Sequence, residues 1–88
     1  MQDTRDAVLA VDDDARTLAA LARILRASGY EVWEAGDGAS AIRLAADRPS
    51  LVLLDVALPD ADGLEVCRRI KADPATSGVP VLIVSGVA

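Results

Sequence analysis

Three short runs of wholly apolar residues constrain the fold of this chain more than any other feature of its sequence. They read VLAV, LVLL and VLIV and occupy residues 8–11, 51–54 and 81–84. A strand with one face in water alternates apolar and polar residues, whereas a strand that is apolar throughout is buried on both faces. Such strands occur in parallel sheets that helices cover on both sides. The three runs therefore predict an α/β fold.

The segments between these runs have the patterns of three helices and one more strand. Apolar residues at helical spacing predict a first helix, with Asp14 as its cap and Gly29 as its stop. Residues 31–35 predict a second strand, and residues 39–47 and 64–72 predict two further helices.

Strand and helix alternate along the whole chain, and right-handed crossovers turn this order into a doubly wound parallel sheet. The second strand ends in Ala35 and Gly36, which carry no reactive groups, so we expect it at the periphery. The expected strand order is therefore 2-1-3-4. No linker divides the chain, and we interpret residues 1–88 as one domain.

The composition argues against several classes of function. The net charge is −5, with 9 basic and 14 acidic residues, which argues against direct binding of nucleic acid. One cysteine and no histidine leave neither a disulfide framework nor a Cys/His zinc site. The apolar runs are far shorter than a membrane span, and residues 1–6 do not have the pattern of a signal peptide. We expect no membrane contact and a cytoplasmic location.

Polar groups follow each apolar run at the point where the strand would end. Asp12 and Asp13 follow the first run, Asp55 follows the second and Ser85 follows the third. The carboxyl ends of parallel strands line one crevice, which would gather these groups. Neighbouring carboxylates repel one another, so such a cluster calls for a cation, and oxygen-only ligands favour Mg²⁺. The pattern predicts Mg²⁺-assisted phosphoryl transfer with one carboxylate as nucleophile.

The positions suggest a role for each residue. Asp55 ends the most apolar run and is our candidate nucleophile, whereas the adjacent pair Asp12 and Asp13 is better suited to a metal. Ser85 would donate a hydrogen bond to a phosphoryl oxygen. The alternative is that these aspartates only cap helices, which is the role that we assign to Asp14.

Longer segments around these residues resemble the receiver domain of two-component response regulators, which has a CheY-like, flavodoxin-like fold. The resemblance rests on VLAVDDD at residues 8–14, LLDVALPDADG at residues 53–63 and VLIVSG at residues 81–86. In the central segment a proline stands four residues after Asp55 and a glycine stands eight residues after it. The turn AGDGASA at residues 35–41 is also similar to the turn into the family's second helix.

The resemblance implies that Asp55 accepts a phosphoryl group from a histidine kinase or a phosphotransfer protein. It implies that Asp13, Asp55 and the backbone carbonyl of Ala57 bind Mg²⁺, with Asp12 acting largely through water. Ser85 would bind the phosphoryl group and shift on activation. The domain would not be an enzyme, and at most it would promote its own phosphorylation and dephosphorylation.

The sequence departs from the family pattern at its C-terminal end. The chain stops at Ala88, so the family's last helix, strand and helix have no counterpart, nor does the lysine that pairs with the phosphoryl group. Lys71 cannot replace that lysine because it belongs to the third helix. The fourth strand would then be an exposed apolar edge, and the third and fourth strands would lose helical cover on one face. We expect either a homo-oligomer formed through this edge or by segment exchange, or a chain that is part of a larger protein.

Three other functions fit parts of the sequence. A receiver-like interaction module that is silent in phosphorylation is the main alternative, because the lysine is missing. Residues 36–41 match the G-x-G-x-x-A pattern of a dinucleotide site, but Asp37 would face the pyrophosphate. A Mg²⁺ phosphatase with an aspartate nucleophile would need a second acid where Ala57 stands.

Overall fold

The apolar runs form neighbouring strands of one parallel sheet in the computed structural model, which describes residues 6–84. The strand order is β2-β1-β3-β4, as the sequence predicts. In chain order the elements are β1 (Ala7–Val11), α1 (Ala15–Ala27), β2 (Glu31–Ala35), α2 (Gly38–Ala45), β3 (Leu51–Asp55), α3 (Gly63–Ala72) and β4 (Val81–Val84).

Strand β1 lies between two hydrophobic clusters and is buried on both faces. Leu9 and Val11 belong to the cluster that also contains buried residues of α2 and α3. Ala10 points to the opposite face and packs with Leu18 and Ala22 of α1. The doubly wound prediction is confirmed, because α1 covers one face of the sheet while α2 and α3 cover the other.

Each of the three helices begins at an aspartate whose side chain accepts a backbone hydrogen bond. Asp14 accepts from the amide of Arg16 at 2.9 Å. Asp37 accepts from Ser40 at 2.7 Å. Asp62 accepts from Leu64 at 2.9 Å. These contacts satisfy amides that have no partner inside the helix, so they fix where each helix starts.

Two predicted helix boundaries can be compared with the structure. Gly29 ends the α1 region with φ = 95°, the left-handed conformation that glycine adopts without strain. Helix α2 ends at Ala45, two residues before the predicted end at position 47. The amides of Asp47 and Arg48 donate to the carbonyls of Leu44 and Ala45, three residues back, so the chain after Ala45 is wound more tightly than an α-helix. Arg48, the residue before Pro49, has φ = 58° and lies outside the helical region.

Burial of the sheet is incomplete on the α1 side, because α1 packs on β1 and β2. Val52 and Leu54 of β3, which face α2 and α3, are fully buried, whereas Leu51 and Leu53 on the opposite face are only partly buried. The general expectation for apolar runs therefore holds for β1, whereas β3 and β4 lack helical cover on one face within the described residues, as the departure from the family pattern predicts. Strand β4 pairs with β3 and forms one edge of the sheet in the described part of the chain.

No helix within residues 6–84 has the length and the apolar character that crossing a membrane would require.

The two sides of the sheet give a direct test of the core. Replacing the fully buried Leu54 by alanine should lower the free energy of unfolding by about 2–5 kcal/mol, because it leaves a cavity under α2 and α3. Leu64→Ala is the matched control, since the Leu64 side chain is 48% exposed. Urea unfolding of both variants measures the difference, and equal losses would contradict this description of the core.

Candidate metal centre

The carboxylates predicted to meet do meet, at the carboxyl ends of β1 and β3. One carboxylate oxygen from each of Asp12, Asp13 and Asp55 lies within 4.8 Å of the other two. The cause is the register of the sheet, in which Val11 lies opposite Leu54. Because the strands are parallel, the next residues along each strand emerge side by side. Asp12 and Asp55 are partly buried, and Asp13 is exposed.

Local hydrogen bonds hold the Asp12 side of this cluster. The backbone amide of Asp12 donates to the carbonyl of Ala35 at 3.1 Å, which extends the pairing of β1 with β2 by one residue. The Asp12 carboxylate accepts from the amide of Asp14 at 2.9 Å. Asp14 itself accepts from Arg16 and from the hydroxyl of Thr17, so its carboxylate serves the helix, as predicted.

The first and last residues of the loop between β3 and α3 are paired with each other, so the loop is closed at its base. Ala57 and Asp62 form an isolated antiparallel bridge. The amide of Gly63 donates to the carbonyl of Val56 at 2.7 Å. The amide of Ala57 approaches the Asp55 carboxylate at 3.4 Å. Ala57 is therefore placed beside Asp55 by the closed base of this loop.

Gly63 permits the closed base. A Cβ atom at this position would collide with the carbonyl oxygen of Asp55 and would lie 2.8 Å from the Cα atom of Val56. Both atoms belong to the backbone, so a side chain could not be accommodated by a change of rotamer. The sequence pattern included this glycine, but its close approach to Asp55 follows only from the structure.

Asp60 makes a contact that sequence reasoning missed. Its carboxylate accepts hydrogen bonds from the amides of Gly38 at 2.7 Å and Ala39 at 3.1 Å, at the start of α2. These two bonds hold the pKa of Asp60 below its usual value. The partners lie 22 and 21 residues earlier in the chain, and no local pattern signals a pairing over that distance.

Two further predictions concern Lys71 and Ser85. The Nζ atom of Lys71 donates to the carbonyls of Val79 at 2.5 Å and Ser77 at 3.2 Å, in the segment that precedes β4. Lys71 thus belongs to α3, as predicted, and its ammonium group lies at the end of the sheet opposite the carboxylates, where it cannot replace the family's lysine. Ser85 lies outside the described residues, and its role stays a prediction.

The donor set fits a hard divalent cation. The three side chains supply carboxylate oxygens, and the chain has no histidine that would favour a softer metal. Mg²⁺ is commonly held in proteins by one or two carboxylates together with water and phosphate oxygens. The cluster can therefore hold Mg²⁺ and leave a carboxylate oxygen of Asp55 free to react.

Comparisons with known proteins agree with this geometry. A family model described as the response regulator receiver domain matches residues 8–88. The chain is 42% identical over 81 residues to the response regulator PleD of Caulobacter vibrioides, covering 91% of this chain but 18% of PleD. The chain therefore spans less than a fifth of that relative's length.

Two solved structures superpose on most of this chain. Chemotaxis protein CheY4 of Vibrio cholerae has a TM-score of 0.88 at 28% identity, covering 97% of this chain and 72% of that one. The receiver domain of sensor histidine kinase PA1611 of Pseudomonas aeruginosa has a TM-score of 0.86 at 31% identity, covering 91% and 66%. That structure holds a magnesium ion coordinated in its active site cleft.

The closed base of the loop after β3 can be tested at Gly63. The substitution Gly63→Ala should destabilise the fold by at least about 1–3 kcal/mol, because the added carbon collides with backbone atoms of Asp55 and Val56. Gly36→Ala is the control, because a Cβ at Gly36 meets nothing within 4 Å. Denaturant unfolding measures both, and a fully stable Gly63→Ala variant would contradict the close approach.

Proposed function

Because the chain belongs to the response regulator receiver domain family, we propose that it is a phosphoacceptor in two-component signalling. Asp55 would accept a phosphoryl group from the phosphohistidine of a sensor histidine kinase or a phosphotransfer protein. The observation that carries this proposal is the convergence of Asp12, Asp13 and Asp55 within 4.8 Å at the carboxyl edge of the sheet.

Asp55 is the nucleophile in this proposal. One of its carboxylate oxygens attacks phosphorus, the bond between phosphorus and the donor's imidazole nitrogen breaks, and an acyl phosphate forms on Asp55. Pairing with β4 and the closed base of the following loop hold Asp55 in place, so little reorganisation is needed for its attack. When bound, Mg²⁺ neutralises charge on the phosphoryl oxygens.

Other residues would hold the metal and the phosphoryl group. Asp13, Asp55 and the backbone carbonyl of Ala57 bind Mg²⁺, and Asp12 acts largely through water. The exposure of Asp13 and the only partial burial of Asp12 and Asp55 support an open site, which an incoming phosphoryl group requires. Ser85 donates a hydrogen bond to the phosphoryl group.

The role of the domain as a whole is also part of the proposal. Residues 1–88 form one receiver-like domain, which is not an enzyme beyond promoting its own phosphorylation and dephosphorylation. We place its phosphorelay in the cytoplasm, with no direct contact to nucleic acid or membrane. Phosphorylation adds charge at the edge of the sheet, and such a change biases a two-state element in known switches.

Phosphoryl uptake is the direct test. Incubation with acetyl phosphate and Mg²⁺ should add one phosphoryl group, detected by intact-mass spectrometry, and the substitution Asp55→Asn should abolish the gain. Asp47→Asn is the matched control, because Asp47 is exposed in the loop before β3, at the other end of the sheet. No gain in the unsubstituted chain would instead indicate an interaction module that is silent in phosphorylation.

We further propose that the 88-residue chain self-associates through the β4 edge or by segment exchange. The support is an apolar surface on an edge strand, where Leu82 is 55% exposed and Val84 is 47% exposed. Leu82 lies opposite the partly buried Leu53 in the sheet, so the two side chains extend one patch. Flat apolar edges of this kind pair with other chains unless charge blocks them.

Light scattering at micromolar concentration should give the 88-residue chain a mass above that of a monomer. The substitution Leu82→Lys places a charge on the edge and should shift the population toward monomer. Leu64→Lys is the control, because Leu64 is similarly exposed but lies on α3. A stable monomer before any substitution would overturn the association proposal and leave the phosphoacceptor proposal intact.

A further inference from the structure

The contact of Asp60 with α2 joins two parts of the molecule that the chain itself keeps apart. Asp60 lies in the loop that follows the phosphoacceptor strand β3, and its two carboxylate oxygens accept from the amides of Gly38 and Ala39. A carboxylate that accepts two amide hydrogens makes charge-assisted bonds, which are stronger than bonds between neutral groups.

Two carboxylates accept hydrogen bonds from amides at the start of α2, and only one of them, that of Asp37, is adjacent to the helix in the sequence. Asp37 caps the helix locally by accepting from the amide of Ser40 at 2.7 Å. Asp60 satisfies the two preceding amides, those of Gly38 and Ala39. Helix α2 already has a standard cap in Asp37, so the bonds of Asp60 constrain chiefly the loop that carries Asp60.

Close packing at Gly38 makes this contact specific. A Cβ atom at Gly38 would lie 3.2 Å from a carboxylate oxygen of Asp60 and 3.1 Å from the Cβ atom of Ala61. The same atom would lie 3.0 Å from a methyl group of Val66 in α3. The loop and the first turn of α3 thus approach α2 as closely as the absence of a side chain permits.

The loop from residue 57 to residue 62 is therefore held at two points. Its base is closed by the Ala57–Asp62 bridge and by the bond from Gly63 to Val56. Its tip is held by Asp60 on α2. Ala57, at the base, stands two residues after Asp55 and is the proposed source of a carbonyl ligand for Mg²⁺.

We propose that Asp60 is a positioning residue for the metal centre. Its hydrogen bonds tie the β3–α3 loop to the start of α2 and so hold the Ala57 carbonyl in a fixed position beside Asp55. This inference rests on the proposed function, because it assigns Asp60 a part in Mg²⁺ binding without contact to the metal. Removing a group that orients a metal ligand without contacting the metal commonly lowers the metal affinity by 10- to 100-fold.

The test compares Mg²⁺ affinity across matched variants of the intact protein by isothermal titration calorimetry. Asp60→Ala should raise the Mg²⁺ dissociation constant about tenfold. Asp37→Ala is the control, because it removes a carboxylate from the same helix start but leaves the loop tied. Its dissociation constant should stay close to that of the unsubstituted protein.

The variant Asp60→Asn distinguishes the effect of the hydrogen bonds to α2 from the effect of the negative charge of Asp60. An asparagine oxygen can still accept one of the two amide hydrogens, although the negative charge is gone. If the tie sets the affinity, this variant should bind Mg²⁺ with a dissociation constant between those of Asp60→Ala and the unsubstituted protein. Equal weakening in Asp60→Asn and Asp60→Ala would identify a simple charge effect and overturn the proposal.

Hydrogen exchange measured by NMR provides a readout that does not depend on the metal. The amide of Gly63, which donates to Val56 at the base of the loop, should exchange faster in Asp60→Ala than in Asp37→Ala. Unchanged exchange and unchanged Mg²⁺ affinity in Asp60→Ala would overturn the inference. Failure of the unsubstituted protein to bind Mg²⁺ would overturn the proposed function, and this inference with it.

Discussion

The parallel register of β1 and β3 is the constraint on which the rest of the structure depends. With Val11 opposite Leu54, both residues point into the core beneath α2 and α3, and the strands end together at Asp12 and Asp55. A slip of one residue would turn the apolar side chains of one strand to its other face. The burial that stabilises the sheet therefore also brings the carboxylates into one cluster.

The aspartates of this edge divide into groups with different electrostatic surroundings. Asp14, Asp37 and Asp62 accept amide hydrogens at helix starts, and Asp60 accepts two from a distant helix. In the cluster, by contrast, a carboxylate oxygen of Asp55 lies 3.4 Å from the amide nitrogen of Ala57, a longer distance than those at the helix starts. Its oxygens keep much of their capacity to accept, which is what a metal ligand and nucleophile needs.

Much of the fold could be predicted because it depends on local patterns. Apolar runs predicted the sheet, Asp14 and Gly29 marked the limits of α1, and the strand order followed from the chemistry of the strand ends. The one-sided cover of β3 and β4 could not be predicted from their own residues, because the pattern of a strand does not reveal which neighbours cover it; it was predicted from the family resemblance instead. The Asp60 contact and the steric role of Gly63 were missed, because both depend on atoms brought together by the tertiary fold.

The aspartate-capped start of each helix has a consequence for the electric field at the carboxyl edge. Since every helix follows a parallel strand, α1, α2 and α3 all begin at the edge where Asp12 and Asp55 emerge. The start of a helix carries a partial positive charge, equivalent to roughly half an elementary charge. Each of these ends is capped by a full negative charge, that of Asp14, Asp37 or Asp62, which exceeds the partial positive charge of the helix. The carboxyl edge therefore stays acidic, and the repulsion that an incoming phosphate dianion meets there has to be offset by a bound cation.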